Sequence, residues 1–112
     1  MIKLLLLETE IYFYTKDESK ECLDNDLDTK NVLRPSINFG NDLLFSCTVR
    51  VDKGINKIVR GNYYNSTLEM FTIDEESYPH IKELLFKGHE FKIQVASKVV
   101  GYGKIIDYLY EK

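Results

Sequence analysis

The sequence predicts a small all-β fold, a closed or partly open antiparallel β-barrel of about six strands that residues 1–112 form as one domain. Short segments alternate between apolar and polar residues, as half-buried strands do. The eight tyrosines and six phenylalanines also favour strands. Helical spacing is confined to residues 76–86, where Pro79 and Gly88 allow one or two turns at most.

The N-terminal region contains the first predicted strand. Residues 2–7 are apolar on both faces, so they fit either a strand covered on both sides or the start of one long bent strand. Residues 9–15 alternate, and Ile11 and Phe13 are predicted to point inward.

Two later segments alternate most clearly. Residues 43–51 predict one strand. Its inward face is formed by Leu43, Phe45, Cys47, Val49 and Val51. Residues 90–95 predict another strand, with Phe91, Ile93 and Val95 inward.

Two less regular segments complete the predicted sheet. Residues 67–73 and 99–106 are rich in β-forming residues and predict one strand each. Gly101 and Gly103 lie inside the second of these strands. Glycines at such positions indicate a bend or the close approach of another backbone.

Composition and charge exclude several classes of protein. The net charge of -3 and the pI of about 5.4 argue against a general nucleic-acid binder, which needs a basic face to neutralise phosphates. Glu8 and Glu10 interrupt the N-terminal apolar run before it reaches the length of a signal peptide. No segment is long and apolar enough to cross a membrane, so the sequence predicts a cytoplasmic protein.

Residues 88–105 contain a Gly-x-x-Phe-x-Ile segment, a tight turn and a Val-Gly-x-Gly segment. This arrangement resembles, without a gap, the last hairpin of elongation factor Tu domain 3, a C-terminal β-barrel. Residues 34–39 resemble the domain's Arg-Pro-x-Phe-x-Phe segment, and residues 9–14 resemble its first strand. Gly61 falls near the family's Pro-Gly turn, and Met70 and Ile73 lie in the strand that follows. The resemblance implies the same barrel for a stand-alone domain.

The same comparison argues against the family's activities. No Gly-x-x-x-x-Gly-Lys-Ser/Thr loop is present to bind a nucleotide, and Asn56-Lys57 lacks the aspartate of guanine recognition. The family's tRNA-contacting turn, Arg-Glu-Gly-Gly-Arg, corresponds to residues 94–98, where Lys98 alone retains a positive charge. The family's basic, glycine-rich first loop corresponds to the acidic residues 16–30, which would repel phosphates.

Residues 16–30 predict an acidic surface loop. It contains six acidic residues and three lysines, a net charge of -3. The acidic residues are Asp17, Glu18, Glu21, Asp24, Asp26 and Asp28. The alternation at its end suggests a calcium loop, but the glycine and the closing glutamate are missing. The remaining interpretations are a solvated loop and a surface that meets a basic partner protein.

A small basic cluster is the competing candidate site. Lys53, Lys57 and Arg60 lie between predicted strands, with Tyr63 and Tyr64 beside them. Such residues can neutralise and stack single-stranded RNA, and Lys98 would add to them. The alternative is a charged hairpin loop.

No residue pattern predicts catalysis, a metal or a cofactor. His80 and His89 lack a second ligand at metal-binding spacing, and Cys47 falls on the inward face of its strand. Cys22 lies in the acidic loop, and one disulfide or two free thiols remain open, with free thiols favoured.

The sequence therefore predicts a non-catalytic module that binds another protein. One specific version is an immunity protein that neutralises a bacterial toxin, because toxic nucleases are often basic and an acidic loop can cover their active site. The alternative hypothesis is a translation-related accessory protein that binds RNA or tRNA.

Overall fold

A computed structural model describes residues 4–30, 34–40, 43–71, 73 and 76–111. Strands cover 52% of them, and the helical part is short, which confirms the all-β prediction. The strands are β1 Leu4–Phe13, β2 Leu27–Asp28, β3 Ser36–Asn38, β4 Leu44–Ser46, β5 Thr48–Val51, β6 Lys57–Ile58, β7 Tyr63–Met70, β8 Glu90–Val95 and β9 Lys98–Glu111. The helical turns are α1 Tyr78–Ile81 and a 3₁₀ helix, Lys82–Leu84.

Seven strands form one antiparallel, strongly curled sheet that has the shape of a half-barrel. Its order is β4-β3-β8-β9-β1-β7-β5, and β2 pairs with β6 in a separate small sheet. The main sheet thus has one strand more than the approximate number predicted. No helix in the described part of the chain is long and apolar enough to cross a membrane.

Strand β1 lies between β9 and β7 and is one continuous strand of ten residues. Its inward side chains, among them Ile11 and Phe13, are buried as predicted. Its pairing with β9 shifts register between Glu8 and Thr9, and such an irregularity bends a strand. The interpretation of one long bent strand is thus correct for the described residues; Ile2 and Lys3 lie outside them.

The single strand predicted over residues 43–51 is wrong. Cys47 interrupts it, so that β4 pairs with β3 and β5 pairs with β7. These two short strands form the opposite edges of the main sheet. Alternation shows which side chains face inward, but it does not show which neighbour a strand pairs with. Cys47 is buried as predicted, and its backbone N–H donates to Pro35 O at 3.0 Å.

The β8–β9 hairpin agrees with its prediction except at the turn. Phe91 and Ile93 are buried, whereas Val95 is 37% exposed. The register shifts between Ile93 and Gln94, so the alternation that buries the first two side chains does not continue to Val95. β9 also continues past the predicted residue 106, because its last part pairs with the start of β1.

The two glycines of β9 are required by close packing, as predicted. A Cβ atom on Gly103 would lie 2.5 Å from Phe91 Cζ, and one on Gly101 would press on the backbone of Tyr12 and Phe13. Both glycines therefore let neighbouring groups approach β9 more closely than a side chain would allow.

The remaining elements differ from prediction mainly in their limits. β7 starts at Tyr63 and ends at Met70, so Phe71 and Ile73 lie outside the strand; Thr72, also predicted as strand, is outside the described residues. The helical turns match the one or two turns predicted within residues 76–86.

One hydrophobic cluster fills the concave side of the sheet. It draws large side chains from β1, β3, β7, β8 and β9, and α1 adds Ile81. Full burial of such a side chain contributes about 1.5–3 kcal/mol relative to exposure. Burial raises the pKa of the Cys47 thiol to about 12, so it stays protonated at neutral pH. Cys22 and Cys47 are both free thiols.

Candidate binding surface

Four tyrosines meet on the convex face of the sheet, and we call them the tyrosine patch. Tyr12 points outward because its neighbours Ile11 and Phe13 point into the core. The strand register places Tyr12 opposite Tyr63 on β7 and opposite Tyr102 on β9. Tyr14 follows β1 on the same side, and its N–H donates to Val100 O at 2.9 Å. The patch therefore consists of Tyr12, Tyr14, Tyr63 and Tyr102.

The rings of the tyrosine patch are in mutual contact. The ring centroids of Tyr12 lie 4.8 Å from Tyr63 and 5.5 Å from Tyr102, and those of Tyr14 and Tyr102 are 6.0 Å apart. The hydroxyls of Tyr63 and Tyr102 are hydrogen-bonded to each other. Tyr63 is nonetheless 55% exposed. Such contacts stabilise neighbouring strands and leave ring surface facing solvent.

The start of the acidic loop is attached to this patch through Glu18. Its carboxylate accepts hydrogen bonds from the Tyr12 hydroxyl at 2.7 Å and from the Thr15 N–H and hydroxyl at 2.9 Å. The Thr15 N–H, followed by the Tyr12 hydroxyl, lowers the pKa of Glu18, so the carboxylate is charged at neutral pH. The hydrogen bond between the Tyr12 hydroxyl and Glu18 raises the pKa of Tyr12 to about 12.

Further bonds fix the rest of the acidic loop. Glu21 Oε2 accepts from the Val99 N–H at 2.8 Å. Asp26 Oδ1 accepts from Arg60 N at 3.0 Å and from Arg60 Nε at 3.1 Å, and the Arg60 backbone N–H is the largest cause of its lowered pKa. Asp28 Oδ1 accepts from Lys30 N at 2.9 Å. These hydrogen bonds attach parts of the loop to β9 and to Arg60, and such attachment reduces the entropy that a loop loses on binding.

The six predicted acidic residues thus fall into different places. Glu18 and Glu21 lie beside the tyrosine patch, whereas Asp26 and Asp28 lie beside β6. Asp17 and Asp24 are exposed. The structure therefore joins two of the six acidic residues to the aromatic surface.

A cavity of about 450 Å³ opens where the acidic loop meets the tyrosine patch. It is lined by Tyr14, Glu18, Ser19, Glu21 and Val99. A second concave region of about 690 Å³ also includes Tyr14, together with Tyr102 and Lys92. Tyr14 therefore borders both an acidic depression and one of mixed character.

The predicted basic cluster does not form a continuous surface with the tyrosines. Arg60 is engaged with Asp26 and also donates to Leu23 O. Tyr63 belongs to the outer face, whereas the half-buried Tyr64 accepts the Val59 N–H at 2.9 Å through its hydroxyl. Adjacent strand residues point to opposite faces, so these two tyrosines cannot form one stacking platform.

The other predicted basic residues belong to different parts of the fold. Lys57 belongs to β6, and Lys53 lines a cleft beside β5. Lys98 starts β9 next to Val99, which borders the acidic cavity.

The histidines take no part in a metal cluster within the described ranges. No group of three or more His, Cys, Asp or Glu residues among them could hold a metal ion. His89 Nε2 lies 2.9 Å from Phe39 O, and its ring centroid is 5.0 Å from that of Phe86. These contacts give His89 a packing role.

Comparison with known proteins adds no family assignment. No protein-family model matches the chain, and a search of curated proteins finds no significant match.

Sequence reasoning did not identify the tyrosine patch. Tyr12, Tyr14 and Tyr102 counted only as strand-forming residues, and Tyr63 was assigned to the basic loop. Alternation could have placed Tyr12 and Tyr14 on one outer face. Their meeting with Tyr63 and Tyr102 depends on strand register, which links residues far apart in the chain.

Proposed function

We propose that this chain is a non-catalytic protein-binding module of the cytoplasm, and that the tyrosine patch with the adjoining acidic loop is its binding surface. The observation that carries the proposal is the convergence of four tyrosine rings on an outer sheet face, with Tyr63 55% exposed. Tyrosine is enriched at energetically important interface positions, because it buries a large ring at low entropic cost and keeps a polar hydroxyl.

The proposed fold family is the barrel of elongation factor Tu domain 3. The hairpin of β8 and β9 supports this proposal, since a two-residue turn joins its strands and glycines occupy the predicted close-packed positions. β3, within the Arg-Pro-x-Phe-x-Phe-like segment, pairs with β8. A fold alone does not define a function, so the binding proposal depends on the surface.

The charge beside the patch supports a basic protein partner. Glu18 and Glu21 lie next to the rings, and Asp17 and Asp24 are exposed in the same loop. Acidic groups around an aromatic centre speed the encounter with a basic surface and repel acidic ones. An immunity protein that covers the basic active site of a bacterial toxin is the specific version that we propose.

Site-specific photo-cross-linking tests this surface. The photoreactive residue p-benzoylphenylalanine replaces Tyr63 in one variant and Leu109 in a matched control. The two side chains are similarly exposed, 55% for Tyr63 and 53% for Leu109. Tyr63 pairs with Tyr12 near the end of β1, whereas Leu109 pairs with Leu6 near its start. We expect position 63 to cross-link a basic protein in native lysate and position 109 to give no such adduct.

Equal adducts at both positions, or none at position 63 across salt concentrations, would contradict the proposed surface. A toxin recovered at position 63 would support the immunity version.

RNA or tRNA binding is the second candidate, because exposed tyrosine rings can stack unpaired bases. The carboxylates of Glu18 and Glu21 beside those rings would repel phosphates. Filter binding of tRNA at low and moderate salt separates the two candidates. Tight binding that weakens steeply with salt would favour RNA, because phosphate contacts release counterions.

A further inference from the structure

We propose that the acidic cavity beside Tyr14 receives an arginine side chain of the partner protein, stacked on the Tyr14 ring and paired with the Glu21 carboxylate. This inference rests on the proposed function and names the partner group that the tyrosine patch and its border recognise. The cavity is lined by Tyr14, Glu18, Ser19, Glu21 and Val99.

The size of the cavity suits a single side chain. Its volume is about 450 Å³, and it borders the tyrosine patch at the half-buried Tyr14. Ligand sites of about 300–1,000 Å³ commonly hold a small molecule, and a partner's side chain entering from an aromatic surface needs less space. Its lining combines one aromatic residue, Tyr14, with two acidic residues, Glu18 and Glu21.

The aromatic residue supplies the first recognition element. The Tyr14 ring contacts the Tyr12 and Tyr102 rings, with centroids 6.3 Å and 6.0 Å away, so two neighbouring rings support its position. A cation placed over a tyrosine face is attracted by the ring quadrupole, and arginine is the most frequent protein partner in this geometry. The cavity extends from the same tyrosine.

The Glu21 carboxylate supplies the second element. Its Oε2 accepts the Val99 N–H, and within the described residues its Oε1 accepts no hydrogen bond. Among these residues Arg50 pairs with Glu69 and Arg60 pairs with Asp26, and neither Glu18 nor Glu21 forms an ion pair. Glu21 therefore presents charge and acceptor capacity to the cavity while its backbone contact holds it in place.

Arginine fits this pair of elements better than lysine. Its planar guanidinium can stack on a ring and donate to a carboxylate in the same pose, whereas an ammonium acts as a point charge. Glu18 adds negative charge, but its oxygens already accept bonds from Thr15 and Tyr12. Glu21 is thus the primary acceptor.

Peptide titration of the full chain tests the proposal. The probes are acetyl-Gly-Arg-Gly-amide, the same peptide with lysine, and the same peptide with citrulline, which keeps the shape of arginine without its charge. Two-dimensional ¹H–¹⁵N NMR follows the amides of Tyr14 and Val99. We expect saturable shifts at both with the arginine peptide, weaker shifts with lysine and none with citrulline.

Matched variants assign the effect to Glu21. Glu21→Gln removes the charge but retains an oxygen that can accept the Val99 N–H, and we expect it to weaken arginine-peptide binding by about tenfold. Asp24→Asn removes the same charge from an exposed position of the same loop, outside the cavity. We expect this control to change the affinity by less than about twofold.

Equal shifts with arginine and citrulline, or equal losses in the two variants, would overturn the arginine site. The arginine-to-citrulline comparison uses the unchanged chain, so it remains decisive even if Glu21→Gln alters the loop. If the peptide titration fails but a partner cross-links at position 63, the arginine site is wrong and the proposed function stands. If no partner cross-links at position 63, the proposed binding surface itself is wrong.

Discussion

Among single residues, Glu18 makes the largest number of side-chain bonds in the acidic loop. Its carboxylate joins the loop to the sheet through Thr15 and Tyr12. A residue predicted as part of a free acidic surface is thus also an anchor, because a carboxylate accepts several hydrogen bonds at once. The same ionised carboxylate provides the negative charge and accepts the anchoring hydrogen bonds, so both depend on pH in the same way.

Glu18→Gln tests this coupling through pH. The pKa of Glu18 is lowered from 4.5, so its ionised form stabilises the fold above pH 4.5, and this contribution is lost as the pH falls through the folded-state pKa. We therefore expect the difference in free energy of unfolding between the parent chain and Glu18→Gln to be constant near neutral pH and to shrink in acid. Urea denaturation at several pH values measures it.

Asp17→Asn is the control for this experiment, since it removes one charge from an exposed position of the same turn. Tyrosinate absorbance gives a second readout, because the pKa of about 12 at Tyr12 should move toward 10.0 once a neutral amide replaces the charged Glu18 acceptor. A pH-independent difference in unfolding free energy would contradict the anchoring role.

Ala96 occupies a backbone conformation that favours glycine. Its φ of 55° lies in the left-handed region, at the turn between β8 and β9. Left-handed geometry costs a residue with a Cβ about 1–2 kcal/mol, and replacement by glycine removes this cost. Glycine also raises the entropy of the unfolded chain, which offsets part of the stabilisation. We expect Ala96→Gly to stabilise the protein by about 0.5–1 kcal/mol in chemical denaturation.

Ser97→Gly is the matched control, since Ser97 shares the turn but has no positive φ. Equal stabilisation by both changes would show that flexibility of the turn, and not the strain at Ala96, is responsible.

At the scale of elements, β9 depends on its two glycines to pack against its neighbours. A Cβ atom on Gly101 would lie 3.1 Å from Phe13 Cα and still closer to Tyr12 O. Both atoms belong to the backbone of β1, which cannot move aside without disturbing the centre of the sheet.

Gly101→Ala is therefore expected to destabilise the protein by about 1–3 kcal/mol. Gly54→Ala is the control, because a Cβ there meets nothing within 4 Å and its φ is not positive. The control should not destabilise the protein, and the lower entropy of its unfolded chain should stabilise it by up to about 1 kcal/mol. Thermal or urea unfolding of the variants measures the difference, and similar stabilities would disprove the role of close packing at Gly101.

The β4–β5 segment shows where element prediction from sequence stops. Its alternation correctly places Cys47 in the core. Yet β4 and β5 pair with different strands. The Cys47 N–H still donates to Pro35 O in the register of the β3–β4 pair, and the chain pairs with β7 from Thr48 onward. Pairing is decided by the surrounding strands, and a period of two carries no information about them.

At the scale of the whole molecule, the curl of the sheet brings its edges together. The edge strands β4 and β5 are consecutive in the chain and are separated only by Cys47. The radius of gyration is 13.6 Å, close to the value of about 13 Å expected for a compact chain of this length. The curl encloses the core and turns the tyrosine patch toward solvent on the convex side.

The sequence by itself determined the fold class, the inward faces of β1 and β8, the short helical region and the close packing at Gly101 and Gly103. These are local properties, since alternation and residue size report burial along one strand. Strand order, the break at Cys47, the exposure of Val95 and the tyrosine patch were decided by the tertiary structure. They depend on register between distant segments, and a shift of one residue would turn every side chain to the opposite face.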